Sequence, residues 1–327
     1  MGEPRRRGAR VRAVAALAAV VALVATGCGG GDSGGADPEG PTTVRVGTLP
    51  IANAAGMYLG MEQGFFAEEG LQIEPTVLQG GNEIVTGLVS GDYDVGFVGY
   101  ISAGVAAGRN VPVCVLTASD ATGTTAEDDW QVMVAGPGNT ISSPQDLVGS
   151  PVGINALGGV AEVLIRAALD REGVDPASVE FIEVPFPEVP AAIAGGRVAA
   201  AYTAEPFVTT VLDQGGEVVF APQSALAPEY PNGAYAASRQ FVQGEPDTVE
   251  RFTRAMERSL DHARDNPDAV RATIPTFTQI PAELAERMRL PVFTSELDRA
   301  AIDEQMGFMA QYGVVEEAPT ADELICD

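Results

Sequence analysis

Two short stretches carry residue types suited to holding a small molecule: Gly80-Gly81-Asn82 and Asn155-Ala156-Leu157-Gly158-Gly159. Each stands between a strand-like run and a helix-like run. Glycines at a helix start let backbone N–H groups approach a bound group closely, and the helix dipole favours an anionic or accepting atom there. The plainer reading is a left-handed turn and an N-cap, with Asn82 capping its helix. Gly81, Asn82, Asn155, Leu157 and Gly158 are the candidates from these stretches. Other strand-to-helix junctions add more. Asn53 either caps the first helix or points at a ligand. Tyr100 and Ser102 follow Gly99, and the Tyr100 ring either enters a cleft or joins the core. Thr203 and Glu205 end another strand. A buried glutamate needs a partner, so Glu205 either takes a ligand N–H or holds its own loop. Tyr100, Phe186 and Phe207 are candidates for stacking on a flat ring.

The same sequence closes off several chemistries. All nineteen basic residues are arginine, so no lysine amine exists for a Schiff base with pyridoxal phosphate or a carbonyl substrate. The single histidine, His262, lies in a charged helical stretch, which excludes a multi-histidine metal site. Cys28, Cys114 and Cys326 are too far apart for a zinc framework. No convincing pair of carboxylates stands in the candidate loops for acid–base work. A net charge of −26 repels nucleic acid and anionic lipid. The expectation is a non-enzyme with no cofactor, no metal and no nucleic-acid partner.

The elements that must position these residues alternate strand and helix, which argues for parallel sheets with right-handed crossovers. One series runs from Thr43 to Ala118 and a second from Trp130 to Phe220, separated by a polar break over 121–129. A second break covers 222–231, and everything after Pro246 reads as helical. The two series look like copies: Leu88–Gly96 parallels Ile193–Ala201, each a helix end, a glycine stop and a buried strand. The expected fold is α/β with two lobes. Lobe one holds 42–129 plus a helical tail within 239–327, and lobe two holds 136–230. Strands 130–135 and 233–238 are expected as the interlobe crossings. Ligands in open α/β sheets bind beyond the carboxyl ends of the strands, so the candidate loops face each other across the cleft.

The amino terminus reads as an address. Five arginines between Arg5 and Arg12 precede the uncharged apolar run Ala13–Ala25, too short for a comfortable membrane span. Ala25-Thr26-Gly27-Cys28 resembles the lipobox of bacterial lipoproteins, apart from Ala25, where a larger aliphatic residue is usual. The resemblance implies a signal peptide over 1–28, lipidation of Cys28, and an exported protein anchored to the outer face of the cytoplasmic membrane. Residues 29–41, rich in Gly, Ser, Asp and Pro, form a flexible linker. With Cys28 lipidated, Cys114 and Cys326 remain, either as a disulfide in an oxidising compartment or as two unrelated thiols.

Several motifs occur in one order: Gly64-Phe65-Phe66 with Glu69-Gly70-Leu71, Gly91-Asp92-Tyr93-Asp94-Val95-Gly96, Asp146-Leu147-Val148-Gly149, Glu205-Pro206, and Pro246 to Phe252. This set resembles the substrate-binding proteins of nitrate, sulfonate, taurine and thiamine-pyrimidine importers. The resemblance spans roughly Val44 to the C-terminus, with a departure at Ala199, where relatives often carry aspartate. It implies a type II periplasmic-binding-protein fold and a monomer serving the permease and ATPase of an ABC importer. It also implies a small-molecule ligand of the sulfonate, taurine or nitrate class, or else a pyrimidine or vitamin-precursor ring. A ligand-sensing module of a signalling system is a further alternative. Pyrimidine synthases of the same fold depend on lysine and histidine chemistry that this chain lacks.

Overall fold

The computed structural model describes residues 40–278 and 280–326. The expected signal peptide, Cys28 and the linker up to residue 39 lie outside the described residues.

Among the described residues, eleven strands form two mixed sheets. The first contains β1 (Thr42–Thr48), β2 (Leu71–Val77), β3 (Val95–Gly99), β4 (Val113–Ala121), β10 (Pro231–Ser238) and β11 (Val292–Phe293), in the order β11-β4-β10-β3-β1-β2. The second contains β5 (Gln131–Ala135), β6 (Pro151–Ile154), β7 (Glu180–Glu183), β8 (Ala200–Ala204) and β9 (Glu217–Phe220), in the order β7-β6-β8-β5-β9. β1 runs parallel to β2 and β3, and β6 runs parallel to β7 and β8. Each sheet then takes one antiparallel strand: β10 between β3 and β4, and β5 between β8 and β9. Leaving β11 aside, the two sheets share one strand order.

The internal repeat in the sequence is matched residue for residue in this register. Val95 and Gly96 lie opposite Val46 and Gly47. Their counterparts Ala200 and Ala201 lie opposite Val152 and Gly153. The fully buried pattern of β8 and the nearly buried β3 fit central strands covered on both faces.

Three sequence expectations are corrected. The stretches 130–135 and 233–238 are not crossings: β5 is a sheet member of lobe two, and β10 of lobe one. The chain passes between sheets over 122–130 and 221–230. These two segments run side by side, with Thr122 N–H donating to Tyr230 O at 3.0 Å and Glu229 N–H to Gly123 O at 3.1 Å. Ser224 Oγ also donates to the Asp129 carboxylate, tying one crossing to the other. The second crossing is not wholly irregular, since Pro222–Leu226 is helical. The tail after Pro246 is not wholly helical either, because β11 pairs with the end of β4. The helical stretch after β1 is interrupted at Gly64, whose φ of 79° a residue with a Cβ rarely adopts. Phe65 and Phe66 beyond the break are buried.

The tail touches both lobes. Its helix Pro246–Asp265 packs Phe252, Met256 and Leu260 into the core. Further on, Arg287 makes a two-point ion pair with Asp213 of lobe two at 2.5 and 2.7 Å. Glu304, on the helix Arg299–Gln311, pairs with Arg171 of lobe two at 2.6 Å. Cys114 of β4 and Cys326 are joined by a disulfide with Cα atoms 5.1 Å apart.

Candidate functional site

A cavity of about 50 Å3 lies between the lobes at the carboxyl ends of their parallel strands. That is room for roughly three to five waters, hence for a compact solute or the polar part of a larger one. It is built from two matching halves. From lobe one comes the start of the helix Gly81–Ser90, and from lobe two the start of the helix Val160–Arg171. The N-caps are Gly80 and Gly159, both in extended conformation and both without a side-chain cap. Asn82 is therefore not the cap expected from the sequence, but lies in the first turn. Each helix also folds an acid back over the residue before its cap. Glu83 accepts from Gln79 N–H at 3.1 Å, and Glu162 from Gly158 N–H at 2.8 Å. The first N–H groups of a helix have no intrahelical partner. Here two sets of them, from opposite lobes, converge on one cavity.

Its floor is a chain of buried amides around one carboxylate. Asn53, fully buried in the turn Ala52–Ala54 after β1, donates through Nδ2 to Asp120 Oδ1 at 3.1 Å. Asn232 of β10 donates to Asp120 Oδ2 at 2.9 Å, and Gln223 Nε2 donates to Asn232 Oδ1 at 2.9 Å. Tyr202 O–H donates to Gln223 Oε1. Burial pushes the Asp120 carboxyl up to about 7, against the pull of its Asn232 and Asn53 donors. Asn53 Oδ1 and Gln131 Oε1, both on residues lining the cavity, have no hydrogen-bond partner among the described residues. Among those residues, no arginine or histidine lines it.

The sequence candidates divide. Asn53, Gly81, Asn82, Ser102 and Asn155 come together around the cavity. Leu157 and Gly158 do not line it, and the Leu157 side chain is exposed. Tyr100 is fully buried in lobe one and lines a separate cavity of about 330 Å3 with Phe293 and Asp298. Thr203 is buried beside the cavity without lining it, whereas its neighbour Tyr202 does line it. Successive side chains of a strand point to opposite faces, so a one-residue choice decides this. Glu205 is structural: its carboxylate accepts from Thr209 N–H at 2.9 Å, Thr209 Oγ at 2.8 Å and Arg289 N–H at 3.2 Å. Its carbonyl accepts from Ala52 N–H at 2.9 Å. Burial raises the Glu205 carboxyl above the usual range. Phe186 lines the cavity, and Phe207 does not.

Gln131 and Asn232 escaped the sequence reading. Both stand at the beginning of β5 and β10, the antiparallel strands that the sequence pattern places at the crossings. Polar residues opening otherwise apolar buried runs were the signal that could have found them.

Two lobes of one strand order, a paired double crossing and a polar cavity at the facing strand ends define the two-lobe α/β periplasmic-binding-protein fold. Within that class, the chain belongs to the NMT1/THI5 like family, which it matches over residues 51–270. It is 26% identical over 205 residues to the taurine-binding periplasmic protein of Escherichia coli K12, covering 62% of this chain and 61% of that one. The matched segment thus spans less than two thirds of that relative's length. The alkanesulfonate-binding protein SsuA of Xanthomonas axonopodis pv. citri, solved with MOPS bound, superimposes with a TM-score of 0.71 at 15% identity, covering 86% of this chain and 96% of that one. The desulfurization enzyme DszB shares the fold, with a TM-score of 0.65 at 17% identity, over 87% of this chain and 96% of its own. Among the described residues, no helix is long and apolar enough to cross a membrane.

Proposed function

We propose that this chain is the extracytoplasmic solute-binding component of an ABC importer and captures a small solute of the sulfonate, taurine or nitrate class between its lobes. The carrying observation is the pair of helix starts without side-chain caps, Gly81-Asn82 after the N-cap Gly80 and Gly159-Val160-Ala161, converging from opposite lobes on one cavity. An anionic or accepting group there completes both sets of free N–H donors at once and holds the lobes together. The taurine-binding relative supports the choice of class. The chain is exported and lipid-anchored through Cys28, and it delivers solute as a monomer to a permease and its ATPase. We read it as a binding protein and not an enzyme, a reading supported by its taurine-binding relative and by a cavity lining that, among the described residues, holds no lysine, histidine or cysteine.

A second reading has one observation in its favour. Phe97, Phe186 and Tyr202 line the same cavity, and aromatic faces suit a flat ring such as a pyrimidine. A thermal-shift screen with taurine, ethanesulfonate, nitrate and aminopyrimidines tests both, because a solute bound only by the folded state raises the melting temperature. Stabilisation by a member of either group supports importer-type capture. If none stabilises the protein, the reading fails.

A further inference from the structure

The hydrogen-bond chain beneath the cavity has a direction fixed by its one carboxylate. Both Asp120 oxygens accept, Oδ1 from the Asn53 NH2 and Oδ2 from the Asn232 NH2, as in a carboxylate that has given up its proton. The Asn232 oxygen is then satisfied by Gln223, and the Gln223 oxygen by Tyr202. At the other end no described residue satisfies Asn53 Oδ1. It is left as a fully buried acceptor on a residue lining the cavity, with a second unpartnered amide oxygen, Gln131 Oε1, also on the lining. Leaving a buried polar group without its hydrogen bond is unfavourable. Two such acceptors are complementary to a donor.

We propose that the bound solute presents an N–H donor, a primary ammonium or amino group, to Asn53 and Gln131, with Asp120 as the positioning residue that orients the Asn53 oxygen. The inference rests on the solute-binding reading and narrows it to amino-bearing solutes. The site then has two poles. The helix starts at Gly80 and Gly159 take the anionic or accepting end, and the amide floor takes the N–H end. A bare oxyanion satisfies the first pole only and leaves both floor acceptors unmade. The carboxylate behind Asn53 favours a cationic amine in a cleft that has no arginine or histidine on its described lining.

The test is calorimetric titration of the full exported chain with probes matched except for the amino group: taurine against ethanesulfonate, and 4-amino-2-methylpyrimidine against 2-methylpyrimidine, with nitrate as the bare anion. In whichever pair binds, the amino member is expected to bind at least tenfold more tightly. Equal or tighter binding of the member lacking the amino group, or binding of nitrate alone, overturns this inference and leaves importer-type capture standing. If no probe binds, both fall together. Asp120→Asn and Gln131→Leu are then compared by the ratio of the two affinities within a pair. A merely structural role for Asp120 lowers both affinities alike, whereas the positioning role collapses the ratio toward one while the amino-lacking probe still binds. An unchanged ratio in both variants overturns the assignment. Should Asp120→Asn fail to fold, Gln131→Leu and the wild-type ratio decide it.

Discussion

Gly99 of lobe one and Val160 of lobe two meet across the cleft so closely that a Cβ on Gly99 would fall 2.3 Å from Val160 Cγ2. The backbone at Gly99 has a φ of −79°, which any residue adopts, so glycine is required there by the neighbour and not by the turn. Both residues line the cavity, and both sit where a parallel strand or its crossover helix faces the opposite lobe.

This contact predicts a wedge. Gly99→Ala should hold the lobes apart, because the added methyl overlaps a side chain on the other lobe and overpacking of this kind costs about 1–3 kcal/mol. Solute affinity should fall by about tenfold or more, and solution scattering should show less compaction on adding solute than in the wild type. Adding Val160→Ala removes the offending methyls and leaves the next atom, the Val160 Cβ, at 3.4 Å. The double variant should therefore close again. Full compaction in Gly99→Ala alone would count against closure as the binding motion.

The helix starts give a second prediction. Asn82 and Asn155 line the cavity from opposite lobes. Asn155→Ala and Asn82→Ala should each weaken solute binding by about 0.5–1.5 kcal/mol, more if the contacted group is charged. The melting temperature without solute should hardly change, since Asn82 is exposed and Asn155 is half-buried. Wild-type affinity in both variants would show that the solute lies elsewhere.

Much of this architecture was legible in the sequence, and the parts that were not share one cause. Strand–helix alternation reports which segments are strands, and the Leu88–Gly96 and Ile193–Ala201 copies report that there are two series. Neither reports which sheet a lone strand joins. β5 and β10 are buried over nearly their whole length, and a continuous apolar run reads the same in either sheet. Each strand in fact completes the sheet it enters after a crossing, so the true crossings are the polar segments around Asp129 and Ser224. The same ambiguity hides part of the site. Asn53, Gly81, Asn82 and Asn155 were reachable because they follow parallel strands. Gln131 and Asn232 were not, because they open antiparallel ones. Tyr100, Thr203 and Glu205 stand at strand ends as well, but side-chain direction and local hydrogen bonding took each away from the cavity.

Asp120 makes stability depend on pH. Its carboxyl is raised from 3.8 to about 7 by complete burial. The folded state therefore holds this proton more tightly than the unfolded chain and gives it up only around pH 7, and the stabilising contribution is full below pH 3.8. As pH rises, the unfolded chain gives up its proton first, so stability falls between about pH 4 and pH 7 and then levels off. The loss attributable to Asp120 is on the order of 2–4 kcal/mol. Asp129, raised to about 6 by burial in the first crossing, adds a slope of the same sign. Urea melts at successive pH values should show this decline, and Asp120→Asn should remove most of it above pH 6. A variant with the wild-type slope would assign the titration to another group.

The disulfide closes the molecule at its far end. Cys326 N–H donates to Val115 O at 2.9 Å, and Ile325 makes a parallel bridge with Val115. Ile325 and Cys326 thus lie against β4 beside the Cys114–Cys326 bond. The preceding helix Ala321–Leu324 is held by a capping box between Thr320 and Glu323. The bond spans a sequence separation of 212 residues, so in the unfolded chain it closes a long loop and removes conformational entropy. Cys114→Ser with Cys326→Ser should lower stability by about 2–5 kcal/mol. The backbone bonds to Val115 remain in that variant, so the tail should stay docked and solute affinity should be close to wild type, because neither cysteine approaches the cavity. Non-reducing peptide mapping of the purified full chain should recover the two cysteine peptides linked. A free Cys326 thiol in that material would mean that the tail is held against β4 by the hydrogen bonds and the capping box alone.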